Sequence, residues 1–226
     1  MLAHVPGALG EAEILRLREA LAGASWEDGA SSGGASKTMK RNSQLPPDSE
    51  LSRKLGSAVA SALLASPAFI AAAIPLRIFP PLFERYEAGD RFDPHVDNAV
   101  RGDAMTGARI RVDLCATLLL SEPDEYEGGH LFVEDIFGSR EFKPHAGDVV
   151  LFSAGSLNMV TPVTRGERLA SFVWLQSMIQ SDEARDLVCD LDAAIQDLSP
   201  RIGGDDADMR RLSTVYHNLI RIWGEA

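Results

Sequence analysis

Hydrophobic positions change period twice along the chain. Up to about Leu76 they recur at helical spacing: Leu9, Ile14, Leu15, Leu17, Leu21 and Trp26, then Leu51, Leu55, Val59 and Leu63. Asp48 precedes the second run as an N-cap. Between the two runs, Gly29–Ser36 (GASSGGAS) reads as a Gly/Ser-rich loop. From Arg77 to Gln180 the pattern becomes short apolar runs rich in branched and aromatic residues: Val112–Leu120, Leu131–Val133, Asp148–Phe152 and Leu169–Leu175. Turn signals such as Gly89-Asp90, Gly128-Gly129, Gly147-Asp148 and Arg165-Gly166 separate them, which predicts an all-β sandwich or barrel. From Ser181 onward helical spacing returns, with one stripe at Leu187, Leu191, Ile195 and Leu198 and another at Leu212, Val215, Tyr216, Leu219, Ile220 and Trp223. Pro200 and the Gly203–Asp206 turn are expected to divide these helices. The expectation is an N-terminal helical region over residues 1–76, a β core over 77–180 and a C-terminal helical domain over 181–226.

Composition narrows the function classes. A formal net charge of -11 over 226 residues argues against nucleic-acid binding, which needs clustered Lys and Arg. The two cysteines, Cys115 and Cys189, are far apart and suggest reduced thiols in a cytosolic protein rather than a disulfide framework. No basic and apolar leader opens the chain, and its apolar runs are too short to span a bilayer. The expected setting is therefore the cytoplasm, with no membrane partner.

The chemistry concentrates in YEAGDRFDPHVD, Tyr86 to Asp97. On a strand, residues two apart share a face, so His95 and Asp97 present an imidazole and a carboxylate side by side. Such a pair can supply two ligands of a facial triad on iron(II), or can be a hydrogen-bonded structural pair. Downstream lies Ser156-Leu-Asn-Met-Val-Thr-Pro-Val, followed by Thr164-Arg-Gly-Glu-Arg168 and an apolar strand that ends near Trp174.

Together with RVDLCATLLLSEP, EYEGGHLFVED, HAGDVVLF, the N-terminal MLAHVPGAL and the C-terminal DLDAAIQDL and YHNLIRIW, these stretches resemble the bacterial PKHD-type hydroxylases. Those are relatives of prolyl 4-hydroxylase among the iron(II)/2-oxoglutarate dioxygenases. The resemblance runs in order along nearly the whole chain. It implies an α+β fold with a double-stranded β-helix, or jelly-roll, core. It implies Fe(2+) held by His95 and Asp97, with Arg168 gripping the far carboxylate of 2-oxoglutarate, and L-ascorbate as reductant. A buried guanidinium suits a bidentate, charge-assisted hold on a carboxylate. Tyr86 and Thr117 are further candidates facing the co-substrate, and Trp174 shares strand parity with Arg168. The resemblance also implies oxygen as the second co-substrate. The primary substrate is not legible, and a role in iron homeostasis is a context that the resemblance alone suggests. The C-terminal helices are expected either to pack on the core or to form a homodimer contact.

One position departs from the pattern. The resemblance places the third metal ligand, a histidine, where this chain has Asn158. An amide oxygen is a weaker, neutral donor to iron. Three readings are open: iron binds with help from the Asn158 carbonyl, a water or chelating 2-oxoglutarate; catalysis is lost and the pocket binds or senses a metabolite; or Asn158 is an engineered substitution. A cupin holding zinc or another metal is a further alternative. His130 and His145 are not expected to substitute, because alternation points Leu131 inward and turns His130 away. Gly29–Ser36 and Asn98–Gly107 are read either as lids over the pocket or as connectors.

Overall fold

The computed structural model describes residues 1–32, 38–102, 107, 109–135, 138–204 and 206–225. Two antiparallel sheets face each other across the centre. The major sheet runs in the spatial order Leu2–Val5, Val149–Ser153, Leu114–Leu119, Arg168–Ser177, Leu82–Tyr86, Ser43–Gln44, Glu27–Asp28, and Pro75–Ile78 also pairs with the Arg168–Ser177 strand. The minor sheet runs Gly138–Phe142, Leu131–Asp135, Leu157–Val160, Arg91–His95, Lys40–Arg41. This is the jelly-roll architecture that the family resemblance implies, built from the short, punctuated β runs.

Three helices back the outer face of the major sheet: α1 (Glu11–Ala22), α2 (Glu50–Ala65) and α3 (Pro67–Ala73). Leu17, Leu21, Val59, Leu63 and Phe69 of these helices pack against Phe83, Leu114, Leu118, Leu151 and Val173 of the sheet. A second core fills the space between the sheets, where Leu82, Tyr86, Cys115, Val150, Phe152 and Trp174 meet Leu131, Val133 and Val160. The two cores explain why Leu114–Leu119 is apolar without alternation. All six of its residues are buried, one set against the helices and the other against the minor sheet. The C-terminal helices α4 (Asp182–Ile202) and α5 (Ala207–Trp223) pair with each other and seal a smaller core of Ile74, Ile179, Ala184 and Val188.

Three expectations need correction. The first 76 residues are not helical throughout, because Leu2–Val5, Glu27–Asp28 and Ser43–Gln44 join the major sheet and Lys40–Arg41 joins the minor one. Three of these strands are two residues long, too short to show a period. The cap of α2 is Ser49 rather than Asp48: its hydroxyl accepts from the Ser52 amide at 3.1 Å. Pro200 does not separate the last helices, since α4 carries it inside its final turn and stops at Gly203 with φ +89°. Of the two lid stretches, residues 33–36 and 103–106 lie outside the described residues.

Gly128 shows how a turn is forced on the sequence. Its φ is +70°, and a Cβ there would stand 2.1 Å from the Pro162 carbonyl oxygen. Gly128→Ala is therefore expected to destabilise the protein by at least about 2 kcal/mol. Phe83→Ala, which empties a fully buried site, is expected to cost about 3–5 kcal/mol. Thermal unfolding checks both, with the midpoint falling about 2–4 °C per kcal/mol in a chain of this size.

Candidate active site

Strand alternation decides which side chains enter the space between the sheets. From the major sheet come Glu84 and Tyr86, Cys115 and Thr117, and Arg168, Phe172 and Trp174. Across the register, Arg168 stands opposite Tyr86, Thr117 opposite Phe172 and Cys115 opposite Trp174. The minor sheet supplies His95 and Asn158, directly opposite each other, and Lys40 opposite Phe92. Asp97 follows the strand end at His95.

His95 is oriented from behind. Its Nδ1 lies 2.9 Å from the Asp93 carbonyl oxygen, which can only accept, so a neutral ring carries its proton on Nδ1 and its free lone pair on Nε2. The ring also stacks on Phe92, with centroids 3.6 Å apart. Nε2 lies 4.0 Å from Asp97 Oδ2, and both side chains are at least nine-tenths buried. Histidines that ligate metal ions usually donate their other ring N–H in this way.

Asp97 is held on several sides. The Trp174 indole donates to Oδ1 at 2.7 Å, and the Asn158 amide nitrogen lies 3.2 Å from Oδ2. Burial, then the Asp97 charge, push the pKa of the neighbouring Cys115 thiol well up and keep it protonated. The orientation of the Asn158 amide is settled by its surroundings. Nδ2 faces three acceptors, Asp97 Oδ2 and the carbonyls of His95 (3.3 Å) and Ser156 (3.4 Å). Reversing the amide would set its oxygen against three oxygens.

These residues can be tested against a ferrous ion. Two cis ligand atoms at about 2.1 Å from one ion lie roughly 3.0 Å apart, so His95 Nε2 and Asp97 Oδ2, now 4.0 Å apart, would close by about 1 Å to share a metal in a facial triad. Asn158 does not fit as a third ligand in this orientation, because it presents a delocalised amide nitrogen. Among the described residues no set of three His, Cys, Asp or Glu side chains is gathered around a metal position. The other described histidines lie elsewhere: His4 bonds Asp148, His130 pairs with Glu141, His145 with Glu122, and His217 meets the Tyr216 ring edge-on in α5.

A cavity opens beside the pair, lined by Lys40, Glu84, His95, Asp97, Arg101 and Trp174 with neighbouring aromatic residues. Arg101 lies over the Trp174 ring, 3.7 Å from its centroid. Lys40 Nζ reaches across from the minor sheet to within 2.6 Å of Glu84 Oε1. The Tyr86 hydroxyl donates to Glu84 Oε2 at 3.0 Å, and the Arg168 guanidinium lies 5.2 Å from the Tyr86 ring centroid. Burial alone would push the Glu84 carboxyl up; Lys40, Tyr86 and Arg168 together hold it below its ordinary range. Arg168 is 1% exposed, its Nε has no partner, and no carboxylate lies within ion-pair distance of it among the described residues. Thr117 is buried on the same inner face, between Val150 and Phe172.

Lys40, Glu84, Arg101 and Cys115 were not singled out in the sequence. Glu84 could have been, because it shares strand parity with Tyr86. Lys40 carries no such signal, since its strand is two residues long.

Two family models match the chain: the 2OG-Fe(II) oxygenase superfamily over residues 81–176 and the PKHD-type hydroxylase C-terminal domain over 182–225. PKHD-type hydroxylases of Burkholderia cenocepacia (strain HI2424) and Burkholderia orbicola (strain MC0-3) are each 51% identical, covering 100% of both chains. Among solved structures, a Pseudomonas putida prolyl-4-hydroxylase aligns with TM-score 0.53 at 20% identity, covering 78% of this chain and 92% of that one. A Trichoplax adhaerens prolyl hydroxylase, crystallised with a hypoxia inducible factor peptide, aligns with TM-score 0.56 at 15% identity, covering 82% and 86%. At these identities the structures speak for the jelly-roll fold.

The buried Lys40–Glu84 pair makes two measurable differences. Lys40→Met strands a buried carboxylate and is expected to cost about 3–5 kcal/mol in denaturant unfolding, whereas Lys40→Met with Glu84→Gln recovers most of it. The folded Glu84 pKa is depressed, so its contribution is complete above the unfolded value near about 4.3 and disappears as pH falls through the folded value. The double variant is expected to lose less stability than the native protein when acidified below about pH 4.3, measured as the change in denaturant midpoint with pH.

Proposed function

The chain belongs to the PKHD-type hydroxylases of the 2OG-Fe(II) oxygenase superfamily, and from that membership we propose how its own residues share the work. It is a 2-oxoglutarate-dependent dioxygenase that uses Fe(2+) and 2-oxoglutarate. When bound, ferrous iron supplies oxygen activation, coupling conversion of 2-oxoglutarate to succinate and carbon dioxide with hydroxylation of a substrate carbon.

His95 Nε2 and Asp97 hold the metal. The Asp93 carbonyl fixes the His95 tautomer, and the Trp174 indole and Asn158 amide fix the carboxylate. Asn158 therefore positions a ligand, and bound 2-oxoglutarate would supply further donors to the metal. Arg168 takes the far carboxylate of the co-substrate, which would give this buried guanidinium the anionic partner that it lacks. Tyr86 shapes that end of the pocket, and Thr117 lines the same inner face. L-ascorbate would serve as the reductant of the bound metal. The observation that carries this reading is the convergence of His95 Nε2 and Asp97 Oδ2, both buried beside one cavity.

The amide orientation of Asn158 favours a second reading, a chain that keeps the co-substrate pocket with little turnover. Oxygen-dependent formation of succinate separates the two. Under the first reading, succinate forms at saturating iron, His95→Ala abolishes it, and Asn158→His lowers the iron concentration needed by roughly 10–100-fold. Succinate formation only in the Asn158→His protein would establish the second reading.

A further inference from the structure

The cavity beside His95 and Asp97 has an ionised carboxylate built into its wall. Glu84 is buried, lines that cavity, and lies in the field of Arg168 from the neighbouring strand. Lys40 is its ion-pair partner and lines the cavity too. Lys40 thus bonds this carboxylate, while the buried Arg168 guanidinium acts on it through space without an ion pair. A carboxylate that entered from the cavity toward Arg168 would do so next to Glu84.

A structural role for the pair explains less than the geometry contains. Lys40 sits on a two-residue strand at the edge of the minor sheet, and Glu84 is in the middle of the major sheet. Burying an ion pair is a poor route to stability, because well-packed apolar residues do as well or better. Here the pair is placed where an anionic ligand has to arrive, and the Tyr86 hydroxyl is committed to Glu84 rather than turned toward a ligand.

We propose that Glu84 is an internal competitor for carboxylate ligands in the co-substrate pocket, and that Lys40 offsets it, so that the pair sets the affinity for 2-oxoglutarate. The proposal rests on the assignment of Arg168 as the anchor of the far carboxylate. In the ligand-free protein Glu84 pairs with Lys40 and offsets the field of Arg168 without bonding it. On binding, the incoming carboxylate takes over part of that role against the repulsion of Glu84. Glu84 thereby keeps the pocket selective for ligands that also gain from the metal end, since a carboxylate alone does not outcompete it.

The signature is a pair of opposite signs. Binding of 2-oxoglutarate is measured by titration calorimetry with saturating Mn(2+), a metal that binds without turnover, in the native chain and in the Asn158→His background. Glu84→Gln is expected to tighten binding about tenfold, and Lys40→Met to weaken it about tenfold. The double variant, which leaves no member of the pair unpaired, is expected to fold and to bind within about threefold of its parent. A pair with only a structural role would shift both single variants in the same direction, or neither, and either result overturns the proposal. So does a folded double variant whose binding falls tenfold or more. Arg168→Met is the control. If it binds 2-oxoglutarate like its parent, the anchor assignment fails whatever the pair does. If it abolishes binding while the single variants share a sign, the anchor stands and the competitor role falls.

Discussion

The Asp97 carboxylate is the interaction on which the site depends. It leaves the minor sheet just beyond His95 and is gripped by the Trp174 indole of the major sheet, with Asn158 on its other side. A carboxylate in an apolar sandwich is costly unless its oxygens find donors, and here they find an indole and an amide. The same bonds fix where a metal can sit. They also place the site at a junction between the sheets, where a shift of either sheet moves one ligand relative to another.

A second inter-sheet link, Lys40 to Glu84, bounds the other end of the cavity. Between the two links lie Phe92, Phe172 and Trp174, which give the cavity apolar walls. The polar contacts set the spacing of the sheets there, and the apolar cores on either side make that spacing rigid. The outer core against α1 to α3 holds the major sheet as a platform, and no single helix among the described residues is long and apolar enough to cross a membrane. Function in this fold lives in a few inward side chains rather than in the jelly roll itself.

Much of this was legible from residue patterns. The punctuated runs around Leu131, Val149 and Leu169 became strands because each combines branched or apolar residues with a Gly-containing turn. Alternation placed Arg168 and Trp174 on one face, as the register has them. What stayed hidden depended on long-range pairing. Lys40 enters the site because a two-residue strand docks on Phe92 and Arg91, and nothing in MKRNSQ announces that partner. Glu84 looks like a surface charge until Tyr86 is known to point inward. The hydrogen-bonding role of Asn158 follows from three oxygens contributed by residues 95, 97 and 156, a convergence that no local spacing reveals.

The central claim is that His95 and Asp97 can hold ferrous iron while Asn158 positions the carboxylate. Anaerobic titration of iron(II) into the metal-free protein with 2-oxoglutarate present tests it most directly, through the weak visible metal-to-ligand charge-transfer band of the ternary complex. The account predicts that the band develops in the native chain at higher iron concentration than in Asn158→His, and is absent from His95→Ala. A native chain that shows no band at saturating iron, beside an Asn158→His protein that does, would contradict it.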